Sequence, residues 1–372
     1  MRVLFIGYYF DPFPGIGAKR ITYWAQNISE RLYNNKKINS TVITATEQKT
    51  LFKNINFVPA TDNTLLSKLF RTDKGSYWVD NLSKFLDKDL NENLYDVAII
   101  TGNPFLHFFI INKLKNKGIK VILDFRDPFS TNPRGTINNS LISKLKLSIL
   151  KRIEYYFIKK SDAVITVNKY CAQLIEGYEE FKNKFHIIDN GFDEKSFINL
   201  REKNTSNELK FVYAGSLYKD RNPELFITVL EKYQDSTFYH IGPKSEFFKF
   251  KYSKLKELGT MSYEKTIEFL NECDICLIFT SGFPFESTTK IFDYIALNKI
   301  ILIITDGEIK TGALHEITKD YPNVIWCKNS EVEINNCLKS LTRYFDLKPF
   351  ADTYKFSRAH GLTKLIEVIS KV

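Results

Sequence analysis

The chain has 372 residues, 44% of them hydrophobic, and a formal net charge of +10. That length exceeds one typical core and suits two domains with packed interiors. Five sparse cysteines, Cys171, Cys273, Cys276, Cys327 and Cys337, argue against a disulfide framework and for a reducing compartment. No run of about 18 apolar residues exists to span a membrane, and the basic balance suits an anionic partner (nucleotide, anionic lipid or nucleic acid) as well as plain solubility.

In chain order, Met1 to Gly7 is apolar from Val3 to Ile6 and lacks a small-residue cleavage site, so it reads as a first strand and not a signal peptide. Further apolar, β-branched runs follow at Thr41–Thr44, Val97–Thr101, Val121–Leu123, Ala163–Val167 and His186–Ile188. A second set comprises Phe211–Tyr213, Phe238–Ile241, Ile275–Phe279, Ile300–Ile304 and Val324–Trp326. Runs apolar on both faces suit parallel strands covered on both sides. Their alternation with helix-like stretches predicts a doubly wound α/β architecture, one Rossmann-like sheet per set. The boundary falls near Asn190-Gly191-Phe192-Asp193, and the polar stretch Arg201 to Glu208 has linker composition. Leu362, Leu365, Ile366 and Ile369 recur at helical spacing in an amphipathic closing helix.

Several loops at strand ends carry chemistry. After the first strand, Gly15 and Gly17 precede a helical pattern. Glycines there let a backbone approach a ligand, and the helix start offers N–H donors. The third glycine of GxGxxG is absent, which disfavours dinucleotide binding; a tight turn alone would also use these glycines. Strand Val121–Leu123 runs into Asp124-Phe-Arg126-Asp127-Pro128, where two acids and an arginine pair with each other or meet a substrate. In the second set, Tyr213-Ala-Gly215-Ser216 leads to Lys219, Arg221 and Pro223. That order gives a strand, a glycine loop, cations for phosphate and a residue suited to a helix start. Most informative is Glu286-Ser287-Thr288-Thr289-Lys290, with Asp293 three residues on. Hydroxyls, free N–H groups and an ammonium suit a diphosphate, and Asp293 suits sugar hydroxyls.

Other features read as structural or remain open. Cys273-Asp-Ile-Cys276 runs into a buried strand, which disfavours a zinc or redox role. Asp87-Lys-Asp89 lies away from any strand end, and an EF-hand would need Gly at Glu92 and an acid at Ala98. His107 could face a cleft, although a partly buried structural histidine is the stronger reading. Phe70–Trp78 could form a mobile acceptor loop. Residues 141 to 160 form a strongly apolar helical segment with six Lys or Arg residues between Lys144 and Lys160. This segment could lie on an anionic membrane or pack on the core with a solvated basic edge.

Taken in order, Tyr8–Arg20, Val121–Pro128, Ser161–Asn168, Ile187–Asp193, Phe211–Arg221 and Thr288–Leu297 resemble a family 4 glycosyltransferase of the GT-B fold. The resemblance implies two Rossmann-like domains facing a cleft. Residues 1–192, with a closing helix 356–372 packed back on them, would take the acceptor; residues 193–355 would take the donor. It implies retaining transfer from a nucleotide diphosphate sugar, with no cofactor and no obligatory metal. It casts Asp127, Arg221 and Lys290 as the catalytic group. Gly15, Gly17, Gly215, Ser216, Glu286, Ser287, Thr288, Thr289 and Asp293 would bind the donor. Two departures stand out: the family's first motif acid should fall at Phe285, and Ser216 stands where a basic residue is usual. Implied partners are a nucleotide sugar, a glycan or lipid-linked acceptor and an anionic membrane surface. A nucleic acid is disfavoured, because the basic residues form no aromatic-interleaved stripe. Bacterial surface polysaccharide or glycoconjugate synthesis follows as the setting, in the cytoplasm or peripherally on the inner membrane face. A nucleotide-sugar epimerase on a similar scaffold and a non-catalytic nucleotide-sugar-binding subunit are the alternatives.

Overall fold

The computed structural model describes residues 1–13, 15–33, 35–47, 52–62, 65–131, 140–198, 200, 208–245, 248, 251–341 and 347–372. Most of the linker-like stretch, residues 201–207, lies outside these described residues. The chain divides into two compact units, Met1–Asn190 with His360–Val372, and Gly191–Ala359.

In chain order the first unit comprises β1 (Arg2–Gly7), α1 (Ile16–Asn27), β2 (Asn39–Thr44), β3 (Ile55–Phe57), α2 (Val79–Glu92), β4 (Val97–Thr101), β5 (Lys120–Arg126), α3 (Leu141–Lys160), β6 (Ala163–Thr166) and β7 (Phe185–Ile187), with short connecting turns and helices. The strands form one sheet in the order β3-β2-β1-β4-β5-β6-β7, with every pairing parallel. Successive strand side chains point to opposite faces, and the core splits accordingly. Leu4 and Ile6 join Ala98 and Ile100 on one face, while Val3 and Phe5 join Val97 and Ile99 on the other. The C-terminal helix Arg358–Lys371 adds Leu362, Leu365, Val368 and Ile369 to that second face. The closing helix therefore packs back on the N-terminal unit, as the family resemblance implies.

The second unit contains β8 (Leu209–Ala214), α4 (Glu224–Leu230), β9 (Ser236–Ile241), β10 (Leu255–Gly259), α5 (Tyr263–Glu272), β11 (Ile275–Thr280), α6 (Lys290–Ala296), β12 (Ile300–Thr305), α7 (Gly312–Thr318), β13 (Val324–Lys328) and α8 (Glu331–Leu341). Its six strands run in the order β10-β9-β8-β11-β12-β13, again all parallel. In each sheet the order reverses beside the first strand, between β1 and β4 and between β8 and β11. Chains leaving those neighbouring strands turn to opposite faces, so a crevice opens beyond their carboxyl ends.

The structure decides several readings that the sequence left open. Phe70–Trp78 contains an ordered 3-10 turn, Lys74–Tyr77, and Trp78 is fully buried. Asp73 holds this segment by accepting the backbone N–H groups of Gly75, Phe105 and Leu106. His107 is also fully buried, against Trp78 and Phe108, and burial lowers its pKa to about 3. It is a neutral core group with no surface to present. Cys273 and Cys276 are buried and form no disulfide.

Candidate functional site

The switch point of the second sheet gathers most of the residues singled out in its sequence. β8 ends at Ala214, and Gly215 turns the chain with a φ of 127° that side chains rarely tolerate. The turn is clamped from two sides. The Tyr213 hydroxyl donates to the Ser216 carbonyl at 3.0 Å, and His240 Nε2 lies 3.0 Å from the Gly215 carbonyl oxygen. From α6, Lys290 reaches over this turn. Its Nζ sits 3.4 Å from the centre of the Tyr213 ring, and a Cβ on Gly215 would come within 3.1 Å of it. Thus Gly215 is required by its backbone angle, and a Cβ there would also crowd the ammonium packed on it.

Arg221 closes the 3-10 turn Lys219–Arg221 that follows. Its Nη2 lies 3.3 Å from Glu286 Oε1, and both side chains are largely buried, at 13% and 3% exposure. Glu286 is already engaged by the hydroxyls of Thr280 and Ser281, so it anchors Arg221. The Arg221 Nε is buried without a hydrogen-bond partner. Lys219, in contrast, is exposed. Burial, then the neighbouring Arg221, push the Lys290 pKa well below the ordinary lysine range. No carboxylate among the described residues offsets that charge. Two cations therefore share one place with a single carboxylate, and Lys290 is the one left uncompensated.

The loop before α6 is held at its middle, where the Ala313 N–H donates to the Pro284 carbonyl at 2.7 Å. Ser287, Thr288 and Thr289 are half-buried along it. α6 itself has seven residues, and its N-cap, Thr289, makes no side-chain cap bond. Two turns carry only a small macrodipole, so the attraction for an anion rests on Lys290 and Arg221 more than on the helix end. Asp293, one turn along, accepts from the Tyr263 hydroxyl at 2.6 Å.

In the first unit the corresponding crevice lies beyond β1, β4 and β5. Gly15 is the N-cap of the twelve-residue α1 and has extended backbone angles. Gly17 makes room for Arg126: a Cβ there would fall 2.5 Å from Arg126 Nη1. Arg126 ends β5 in the left-handed region (φ 50°) and donates from Nε and Nη2 to the Gly102 carbonyl, at 3.2 and 2.8 Å. Asp124 is fully buried and pairs with Arg20 of α1 at 3.3 Å, not with Arg126. Arg20 also donates to the carbonyls of Ile188 and Asp189, each at 2.9 Å, which ties α1 to the end of β7. Asp127 is exposed.

Thus Gly215, Ser216, Arg221, Glu286, Ser287, Thr288, Thr289, Lys290 and Asp293 belong to one unit and mostly to one switch point. Gly15, Gly17 and Asp127 belong to the other unit. Sequence reasoning missed Tyr213 as the platform under Lys290 and Arg126 as the cation at the start of α1. Both were visible as residues flanking a glycine turn or ending a strand, but only the fold puts them against Gly215 and Gly17. Among the described residues, no three His, Cys, Asp or Glu side chains gather so as to hold a metal ion.

No family model matches the sequence, and no curated protein is similar to it in sequence. Solved structures match over the whole chain. HepE of Anabaena, determined with UDP and glucose, has a TM-score of 0.69 at 13% identity, covering 100% of both chains. The lipopolysaccharide outer core galactosyltransferase WaaB, in its apo form, has a TM-score of 0.66 at 15% identity, covering 100% of both chains. A UDP-N-acetylglucosamine 2-epimerase described from Listeria monocytogenes reaches 0.62 at 8% identity, covering 99% of this chain and 95% of its own. At these identities the likeness establishes the fold alone: two parallel α/β sheets, of seven and six strands, of the GT-B class.

Proposed function

We propose that the chain is a glycosyltransferase that moves a sugar from a nucleotide diphosphate sugar to a glycan or lipid-linked acceptor, with retention at the anomeric carbon. One observation carries this: the Lys290 ammonium, uncompensated among the described residues, lies over the Tyr213 ring and beside the Gly215 turn at a topological switch point. A half-buried cation beside a glycine turn is suited to a diphosphate, which would supply the missing negative charge. Structural likeness to HepE, determined with UDP and glucose, supports the same class of ligand. Likeness to WaaB supports transfer to a surface glycolipid.

In this mechanism the bond from the anomeric carbon to the diphosphate breaks, and its electron pair stays on the phosphate oxygen. Lys290 and Arg221 stabilise that developing charge. The acceptor hydroxyl attacks from the same face, and its proton passes to the departing diphosphate. Glu286 holds Arg221 in place. Gly215 and Ser216 supply close backbone, the hydroxyls of Ser287, Thr288 and Thr289 supply donors, and Asp293 takes ribose hydroxyls. In the first unit, Gly15 and Gly17 give close backbone for a ligand, and Asp127 offers a carboxylate to sugar hydroxyls. No metal is assigned to the leaving group, so turnover should survive thorough chelation with EDTA; loss of turnover that added magnesium restores would remove this part of the mechanism.

Turnover of candidate donors, UDP and GDP sugars first, tests the reading. Lys290→Ala and Arg221→Ala should each lower kcat/KM by about 100- to 1000-fold, the usual effect of removing one donor to a transition-state charge. Normal turnover in both variants would refute the site. A second reading, a nucleotide-sugar epimerase, has support from the fold match to the Listeria protein and from His240 beside Gly215. It predicts conversion of the nucleotide sugar with no acceptor present, whereas a transferase leaves the sugar configuration of its donor unchanged.

A further inference from the structure

The first half of α3 presents a row of apolar side chains to solvent. Leu141 is 85% exposed, Ile142 81%, Leu145 64% and Ile149 41%. At about 100° per residue these four fall within an arc of about 100° on one face of the helix. Phe157 and Ile158 of the second half are buried against the sheet. The only acid of the helix, Glu154, also points inward, where it accepts the backbone N–H groups of Phe129, Ser130 and Glu176. Its cations, Lys144, Lys146, Lys151, Arg152, Lys159 and Lys160, have no acid beside them on its outer surface. Lys151 pairs with Glu176 of another segment at 3.0 Å; Lys144, Lys146 and Arg152 have no such partner among the described residues.

We infer that this face is a docking surface for an anionic lipid bilayer. Exposed apolar residues flanked by cations on both sides match a helix lying in the plane of a membrane interface. The apolar row enters the acyl boundary, and the ammonium groups meet the phosphates. A second copy of the chain is a poor occupant, because it would set cation against cation on a protein carrying +10. The surface belongs to the first unit and shares no residue with Lys290 and Arg221 of the second, so its test does not depend on the proposed transfer reaction.

Flotation of the full chain with vesicles measures the partition. Vesicles with about 30% phosphatidylglycerol in phosphatidylcholine should bind it at least about tenfold more strongly than phosphatidylcholine alone, and about 0.5 M salt should remove the difference. The double variants Leu141→Ser/Leu145→Ser and Lys144→Glu/Lys146→Glu should each lower that partition about tenfold. All four positions are exposed or on the solvent edge, so melting temperatures should stay at the wild-type value, and the charge variant stands in if the apolar one fails to fold. Equal binding to both vesicle types, or no effect of either variant, would overturn the inference. A dimer in light scattering that the variants dissociate would assign the face to a second copy. No vesicle binding at low salt would overturn it as well.

Discussion

Lys290 carries its charge where charge is disfavoured. Burial and Arg221 both act against the protonated form, and the face of the Tyr213 ring offsets only part of that penalty. A bound diphosphate would restore the proton's affinity. In the window between the depressed value and the ordinary lysine value of about 10.4, nucleoside diphosphate binding should therefore take up a proton. Affinity should fall as pH rises through that window, and calorimetry in buffers of different ionisation enthalpy reads both effects. Without ligand the sign for stability is opposite. The unfolded chain holds more protons there, so stability contributed by this group rises with pH. Lys290→Met should accordingly raise the melting temperature of the unliganded protein while removing diphosphate binding; a lowered melting temperature would show that the ammonium is already compensated. Glu286→Ala poses the converse case. It leaves Arg221 buried without its carboxylate, which typically costs about 3–5 kcal/mol, measurable by urea unfolding. Glu286→Gln, which keeps an acceptor for Thr280 and Ser281, should cost less.

At the scale of elements, α1 separates structure from function. Gly17 is helical, and alanine there is favoured by up to about 1 kcal/mol in intrinsic propensity. Yet a methyl group would fall on the Arg126 guanidinium. Gly17→Ala should therefore push Arg126 off the Gly102 carbonyl and lower turnover; unchanged turnover would show that the close approach of Arg126 has no part in catalysis. The strands divide in the same instructive way. Those apolar on both faces, such as Val97–Thr101 and Ile300–Thr305, were legible because burial on two sides leaves a continuous hydrophobic run. β3 and β10 were not. β3 has three residues, and β10 sets exposed Lys256 and Glu257 between Leu255 and Leu258, which breaks the apolar run; both strands lie at sheet edges. The exposed apolar face of α3 was equally hidden. Its sequence is apolar on several sides, and only the fold shows which of those sides the core takes.

For the whole molecule, period and order in the sequence were enough to indicate two parallel α/β sheets and an amphipathic closing helix, while the GT-B fold came from the family resemblance. Side-chain pairings across long sequence separations were not. Nothing local tells that Asp124 belongs to Arg20 and not to Arg126, that Glu286 holds Arg221, or that Tyr213 lies under Lys290. Each pairing depends on which strand ends the topology makes neighbours. The central claim is that the Gly215 turn, Arg221 and Lys290 form a seat for a diphosphate. Calorimetric titration of the wild type and Lys290→Ala with UDP and UMP, and with GDP and GMP, tests it most directly. The wild type should bind one diphosphate far more tightly than its monophosphate, and Lys290→Ala should lose about 100-fold of that affinity, or roughly 2.7 kcal/mol. A Lys290→Ala protein that still binds the diphosphate as tightly as the wild type would contradict the account.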